Sequence, residues 1–313
     1  MQDGFPKHFD GKHFYYPGAR PQQGVSGVLR WKLTNRPEPS PDFVADVVPS
    51  VPPRHVEGDS LRTTLVNHST VLLQHQNYNL LTDPIWSERC SPVSWAGPRR
   101  HRKPGVEWDD LPRIDTVLLS HDHYDHLDLP TLRLLAARRE STYIVPAGVG
   151  QLLRSEGITP FHELDWGESL RLPGFTIHCV PAIHFSGRGI SNRNQTLWCG
   201  YVIEFPERLV YYAGDTAFGD HFARIREQFG SPDLALLPIG AYEPRWFMSP
   251  VHMGPDEAVE AHKVLGAGTS IAIHHGTFQL ADDGLDTAAK LLRKCEVSER
   301  FLVLKNGQFA DIP

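Results

Sequence analysis

The apolar run Ile114–Ser120 breaks off into His121-Asp122-His123-Tyr124-Asp125-His126, placing three imidazoles and two carboxylates within six residues. No other stretch restricts the fold as much. IDTVLLS is too short for a helix and reads as a buried strand, and LDLPTLRLLAARR just beyond it has helical spacing. The histidines therefore fall on a strand-to-helix loop at the carboxyl end of a strand, where open α/β sheets bind their ligands. On an extended stretch His121 and His123 point to one side and can reach one ion. Asp125 and His126, past the turn, can serve a second. Such crowding costs repulsion and desolvation unless a cation compensates.

The composition agrees with a metal site built on nitrogen and oxygen. The chain has 17 His against 4 Cys and 3 Met, and imidazole is the commonest protein ligand for zinc-type metals. Cys90, Cys179, Cys199 and Cys295 are scattered and form no CxxC pair, so neither a disulfide framework nor a thiolate zinc site is indicated. A net charge of -6 argues against nucleic acid as the main partner. The opening MQDGFPKHFD lacks the basic start and apolar run of a signal peptide, and no stretch reaches the roughly 18 apolar residues of a membrane span. A soluble, cytoplasmic protein is expected.

Two regions are expected. Residues 1–55 read as an extended arm packed on the core, because RPEPSPDFVADVVPSVPPRH is too proline-rich for the interior of a helix or sheet. Residues 56–313 read as one domain of alternating strands and helices, starting with consecutive strands in TTLVNHSTVLLQHQNYNLLTD. Strands follow in STYIVPAG, FTIHCVPAIH, TLWCGYVIEF, RLVYYAGDT, LALLPIG and SIAIHH; helices in VGQLLRSEG, PDEAVEAHKVLG and LDTAAKLLRKC. This rhythm permits two packed sheets with helices outside or a single doubly wound sheet.

His121–His126 resembles the HxHxDH motif of the metallo-β-lactamase superfamily, and later markers appear in order: His184 in VPAIHFSG, Asp215 in YYAGDT and His274 in AIHHGTF. The resemblance implies a four-layer αββα sandwich of two mixed sheets packed face to face. It also implies a dinuclear centre in which His121, His123 and His184 hold one ion, Asp125, His126 and His274 hold the other, and Asp215 bridges. Two Zn²⁺ are the first choice for such a hard ligand set, with Mn²⁺ or Fe²⁺ as alternatives. His274 is preferred over its neighbour His275 because adjacent residues of a strand end face opposite ways and the family's segment aligns with the first.

Longer stretches, LLTDPIWSERCSPVSWAGPRRHRKPGV (80–106) and HMGPDEAV (252–259) among them, resemble one branch. This is the phospholipase D that hydrolyses N-acyl-phosphatidylethanolamine, with its bacterial relatives. That resemblance makes Asp83 a carboxylate orienting the metal-bound water and His252 a group that stabilises or protonates the leaving alcohol. His68, Asp122 and His275 are candidates for the surrounding shell. Arg99 and Arg100, from a basic run that could attract a phosphate head group or an anionic membrane surface, and Trp246 and Phe247, from an aromatic pair, are candidates for substrate contact. The expected activity is hydrolysis of a small-molecule or lipid phosphodiester, with peripheral membrane contact. A lactonase or other carbonyl hydrolase, and a metal-stabilised sensor without turnover, are the competing readings.

Overall fold

A computed structural model describes residues 7–34, 36–189, 191–295 and 300–313; the first six residues of the expected arm lie outside the described residues. The core is two seven-stranded sheets. The first contains β1 (Leu61–Asn67), β2 (Thr70–His75), β3 (Tyr78–Thr82), β4 (Thr116–Leu118), β5 (Thr142–Pro146) and β6 (Phe161–Leu164). The second contains β7 (Ser169–Leu172), β8 (Phe175–Val180), β9 (Gly200–Glu204), β10 (Leu209–Tyr212), β11 (Leu234–Pro238), β12 (Thr269–Ile273) and β13 (Phe301–Leu302). The last strand, β14 (Phe309–Ile312), returns to pair with β1.

Each sheet is antiparallel on one side and parallel on the other: β3 through β6 and β10 through β13 run parallel. Parallel neighbours require crossovers. In the first sheet these are α2 (Leu129–Arg138) and α3 (Gly150–Ser155), together with the long loop from Asp83 to Asp115; in the second they are α4 (His221–Phe229), α5 (Arg245–Met248), α6 (Pro255–Leu265) and α7 (Thr287–Leu292). The arrangement is the expected αββα sandwich of mixed sheets, and it settles the choice that the strand rhythm left open.

Side-chain alternation explains why the sheets face each other. Leu234 and Leu236 of β11, Ile271 and Ile273 of β12, and Tyr201 and Ile203 of β9 pack between the sheets, together with Leu73 of β2 and Leu118 of β4. Their neighbours Ala235, Leu237, Ala272 and Val202 face the other way, into a layer shared with Ala258, Ala261 and Leu265 of α6. Leu72, Val117 and Leu119 likewise face Leu132 and Leu135 of α2. Small Ala235 and Ala272 on the outer face let α6 approach closely. The helix α6 starts at Pro255, a residue suited to a first turn, with Glu257 accepting the Gly254 N–H at 2.9 Å. It ends at Gly266, which has φ 62°.

Residues 36–55 carry neither helix nor strand. They are tied along the core by backbone bonds, Glu38 to Asp282, Val44 to His101, Val48 to Asn306 and Ser50 to Gly105. The first part of the arm differs from the expectation: Val25–Thr34 forms a helix, α1. Its apolar residues at 25, 28 and 29 have helical spacing that the flanking prolines obscure. Helix α4 and strands β6, β7, β13 and β14 lie beyond the expected elements, being short or largely polar. No helix among the described residues is long and apolar enough to cross a membrane.

Candidate metal centre

Strand register delivers the expected residues to one end of the sandwich. Thr82 pairs with Leu118, so Asp83 emerges beside Ser120 and the loop that carries His121. Pro238 pairs with Ile273, so His274 emerges beside Gly240. His184 follows β8 and Asp215 follows β10. A Cβ on Gly240 would lie 2.1 Å from the His274 carbonyl oxygen, which is why a residue without a side chain stands there. His68, Asp83 and His274 have φ of 46°, 33° and 56°, a left-handed backbone that costs non-glycine residues about 1–3 kcal/mol each. Three such residues in one cluster mark a place where packing holds the chain against its preference.

Two groups of side chains result. In the first, His121 Nε2 is 2.8 Å from His123 Nδ1, and His184 Nε2 is 3.3 Å from that same atom. In the second, His126 Nε2 and His274 Nε2 each lie 3.2 Å from Asp125 Oδ2, and His68 Nε2 lies 3.0 Å from it. Asp215 Oδ2 stands between the groups: 3.2 Å from His126, 3.1 Å from His274, 3.7 Å from His184 and 4.0 Å from His121. All of these side chains are buried, His123 only partly. The structure thus brings together the seven residues expected as ligands and adds His68 to the second group.

The tautomers favour cation binding. His184 Nδ1 donates to the Val251 carbonyl at 2.9 Å, leaving Nε2 as a lone pair toward the cluster. His126 Nδ1 donates to Asp83 Oδ2 at 2.6 Å. His121 Nδ1 donates to Ser120 Oγ at 2.9 Å, and that hydroxyl donates in turn to Asp83 Oδ2 at 2.5 Å. One carboxylate therefore fixes imidazoles in both groups, as outer partners of metal-binding histidines commonly do.

The unsatisfied atoms test whether a metal fits. His126 Nε2 and Asp215 Oδ1 are buried without a hydrogen-bond partner among the described residues, and three imidazole nitrogens crowd a space where one proton cannot satisfy all of them. Burial, reinforced by neighbouring imidazoles, holds His121 well below its ordinary value. Burial likewise lowers His123 to about 4 and His184 to about 3, against the pull of nearby carboxylates. These rings are neutral and able to donate lone pairs. Burial also opposes a charge on His126 and His274, yet Asp215 and Asp125 override it, holding His126 well above its usual value and His274 at about 9. The two buried aspartates thus draw positive charge to this place, and divalent cations would supply it for every ligand at once.

The remaining expectations divide. Both oxygens of Asp83 accept from protein donors, Ser120 N at 2.7 Å, Ser120 Oγ, Tyr212 OH and His126 Nδ1, and through them it orients imidazoles of both groups. His252 lies at the rim, its ring 4.9 Å from that of His184 and 5.4 Å from that of His274. Asp122 turns away to accept Gly187 N at 2.6 Å and Thr196 Oγ1 at 2.9 Å, bracing the loop of His184. His275 lines a separate cavity with Arg102 and Asp286.

The basic run divides between surface and interior. Arg99 is exposed and pairs with Glu88. Arg100 is buried and spends its guanidinium on the carbonyls of Ser87, Ile85 and Arg102. Loop carbonyls need donors wherever the backbone forms no sheet, and Arg100 supplies them here. Trp246 packs under Arg30, while Phe247 stacks on Trp31 at 4.9 Å and does line the space above the cluster.

That space is a cavity of about 330 Å³. His123, Asp125, Asp215, His252 and His274 form its floor, and Val28, Trp31, Phe185, Phe247, Val251 and Leu280 form much of its wall. Helix α1 supplies Trp31, whose indole N–H donates to Asp282 Oδ1 at 2.9 Å. The arm is therefore part of the site.

A sequence profile described as a β-lactamase superfamily domain matches residues 78–275. An uncharacterised protein of Mycobacterium tuberculosis is 43% identical over 261 residues, 81% of this chain and 69% of that one. The Caenorhabditis elegans protein named N-acyl-phosphatidylethanolamine-hydrolyzing phospholipase D 1 is 38% identical over 289 residues, 86% of this chain and 80% of that one. Among solved structures, an isothiocyanate hydrolase from Delia radicum gut bacteria superposes with a TM-score of 0.65 at 21% identity, covering 80% of this chain and 98% of that one; at that identity the likeness concerns the fold. With the matched profile, these relatives and the buried His/Asp groups all in place, the chain belongs to the metal-dependent hydrolases of the metallo-β-lactamase superfamily.

Proposed function

We propose that the protein is a dinuclear metal-dependent phosphodiesterase of phospholipase D type, acting on N-acyl-phosphatidylethanolamine-like or related phosphodiesters. The observation that carries this reading is the juxtaposition of two His/Asp groups, sharing Asp215, with an apolar-walled cavity above them. Relatedness to a protein named for that lipid supports it. In this reading His121, His123 and His184 would hold one ion and Asp125, His126 and His274 the other, with Asp215 available to both; zinc is the first choice for such nitrogen and oxygen donors. When bound, such a pair supplies Lewis acidity and lowers the pKa of water.

The protein's own groups do the rest. Asp83 keeps the lone pairs of His126 and His121 aimed inward. The apolar wall excludes bulk water and holds acyl carbon. His252, whose Nδ1 has no hydrogen-bond partner among the described residues and lies 4.0 Å from Asp215 Oδ2, is lowered by burial to about 3, so it stands as a neutral ring whose N–H can stabilise the departing alkoxide by a hydrogen bond. On α1, exposed Val28, Leu29 and Leu33 alternate with Arg30 and Lys32 beside the cavity mouth, a surface suited to lipid entry from an anionic bilayer.

Zinc-loaded protein is expected to cleave bis(p-nitrophenyl) phosphate and N-acyl-phosphatidylethanolamine, with activity lost on chelation and in Asp215→Ala. Rapid turnover of acyl lactones with inert diesters would replace this reading with a carbonyl hydrolase. About two bound metals per chain with no turnover of either class would replace it with a sensor.

A further inference from the structure

Arg193 lies at the mouth of the cavity, on the loop between β8 and β9. Its guanidinium carbon stands 4.1 Å from the centroid of the Phe185 ring. That ring in turn lies 4.5 Å from His123 and 4.8 Å from His184, so one aromatic ring separates the cation from the first group of imidazoles. An Nη2 hydrogen bond to Gln22 Oε1 fixes the guanidinium from the other side, and Gln22 Nε2 donates to the His184 carbonyl at 3.1 Å. The arm, the metal loop and Arg193 are thereby joined.

Its charge is not spent on a carboxylate. Arg62, Arg102, Arg208 and Arg245 each hold an Asp or Glu. Among the described residues no carboxylate lies within ion-pair distance of Arg193. An aromatic face and a neutral amide orient a guanidinium without cancelling its charge, and the open side of this one borders a cavity with an otherwise largely apolar wall.

We propose that Arg193, positioned by Phe185 and Gln22, selects substrates that carry a negative charge by pairing with an anionic oxygen of the molecule in the cavity. This rests on reading the cavity as the active site of a metal-dependent hydrolase. It adds that the substrate is an anion bearing an apolar portion, with Arg193 acting in binding and not in bond cleavage. Loss of one charge-assisted hydrogen bond at the rim costs about tenfold in affinity.

The test compares zinc-loaded wild type, Arg193→Gln and Arg193→Lys, with elemental analysis showing the same metal content in each. Kinetics use bis(p-nitrophenyl) phosphate, an anion, against p-nitrophenyl butyrate, a neutral ester. Equilibrium binding of decyl phosphate against decanol is followed through tryptophan fluorescence. In Arg193→Gln the preference for the anionic over the neutral member should fall about tenfold in both pairs. The kinetic part should lie in KM with kcat little changed, and Arg193→Lys should recover part of the loss. Equal effects on anionic and neutral members, or no effect, would overturn the proposal. If wild type cleaves no diester but the binding preference still depends on Arg193, the phosphodiesterase reading fails and the anion-selecting role stands. Diester cleavage with no dependence of either preference on Arg193 gives the reverse.

Discussion

Replacing Asp83 by Asn tests how the protein holds its imidazoles. Oδ2 accepts three hydrogen bonds, from Ser120 Oγ at 2.5 Å, from His126 Nδ1 at 2.6 Å and from Tyr212 OH, and Oδ1 accepts Ser120 N at 2.7 Å. An amide nitrogen in the Oδ2 position meets three donors. His126 can escape only by accepting at Nδ1 and moving its proton to Nε2, which then points N–H toward Asp125 and Asp215 and cannot ligate. With the amide turned over, the buried Ser120 N–H loses its acceptor. Either way at least one buried donor is unsatisfied, at about 1–3 kcal/mol. Metal affinity should fall about 10- to 100-fold, as for other partners of ligating histidines, or about 1.4–2.7 kcal/mol. Competition with a fluorescent zinc chelator measures the affinity, and thermal melting with and without zinc separates it from folding. Unchanged binding of both ions by Asp83→Asn would refute the reasoning.

Three further outcomes follow from packing and charge. Gly240→Ala forces a methyl against the His274 carbonyl and should cost about 1–3 kcal/mol along with zinc stoichiometry; full occupancy and an unchanged Tm would contradict it. Trp31→Ala removes part of the apolar wall and should raise KM about tenfold for long-chain over short-chain substrates, seen in a chain-length series; a uniform change would count against a wall function. Arg102 bonds to Asp46 of the arm, to the Gly276 carbonyl and to Asp286, and its hydrogen bond holds the Asp46 carboxyl below the usual value. Because the folded pKa is depressed, this contribution is whole above about pH 4 and fades as pH falls through the lowered value. Limited proteolysis of the arm should therefore quicken below pH about 4, and Asp46→Asn should remove that dependence.

The legible part of the site was the part encoded locally. His121, His123, Asp125 and His126 fall within six residues after an apolar strand, so spacing alone brings them together and their crowding calls for a cation. His184, Asp215 and His274 were found through the order of strand-end markers and a family resemblance, since no local rule links residues that far apart. The arginines of the basic run show the limit. Their charge is plain in the sequence, but Arg100 faces inward because the carbonyls of Ser87 and Ile85 lie beside it.

The sequence by itself determined the strand rhythm, the strand-end ligands and the nitrogen/oxygen donor set, because side-chain periodicity and residue chemistry are properties of neighbours in the chain. Only the tertiary structure decided between one sheet and two, brought His68 to Asp125, turned Asp122 away and Asp83 toward His126, and laid α1 and Gln22 along the cavity beside Arg193. Those choices depend on which donors, acceptors and apolar faces meet across the fold, and a side chain's partner is set by proximity in space.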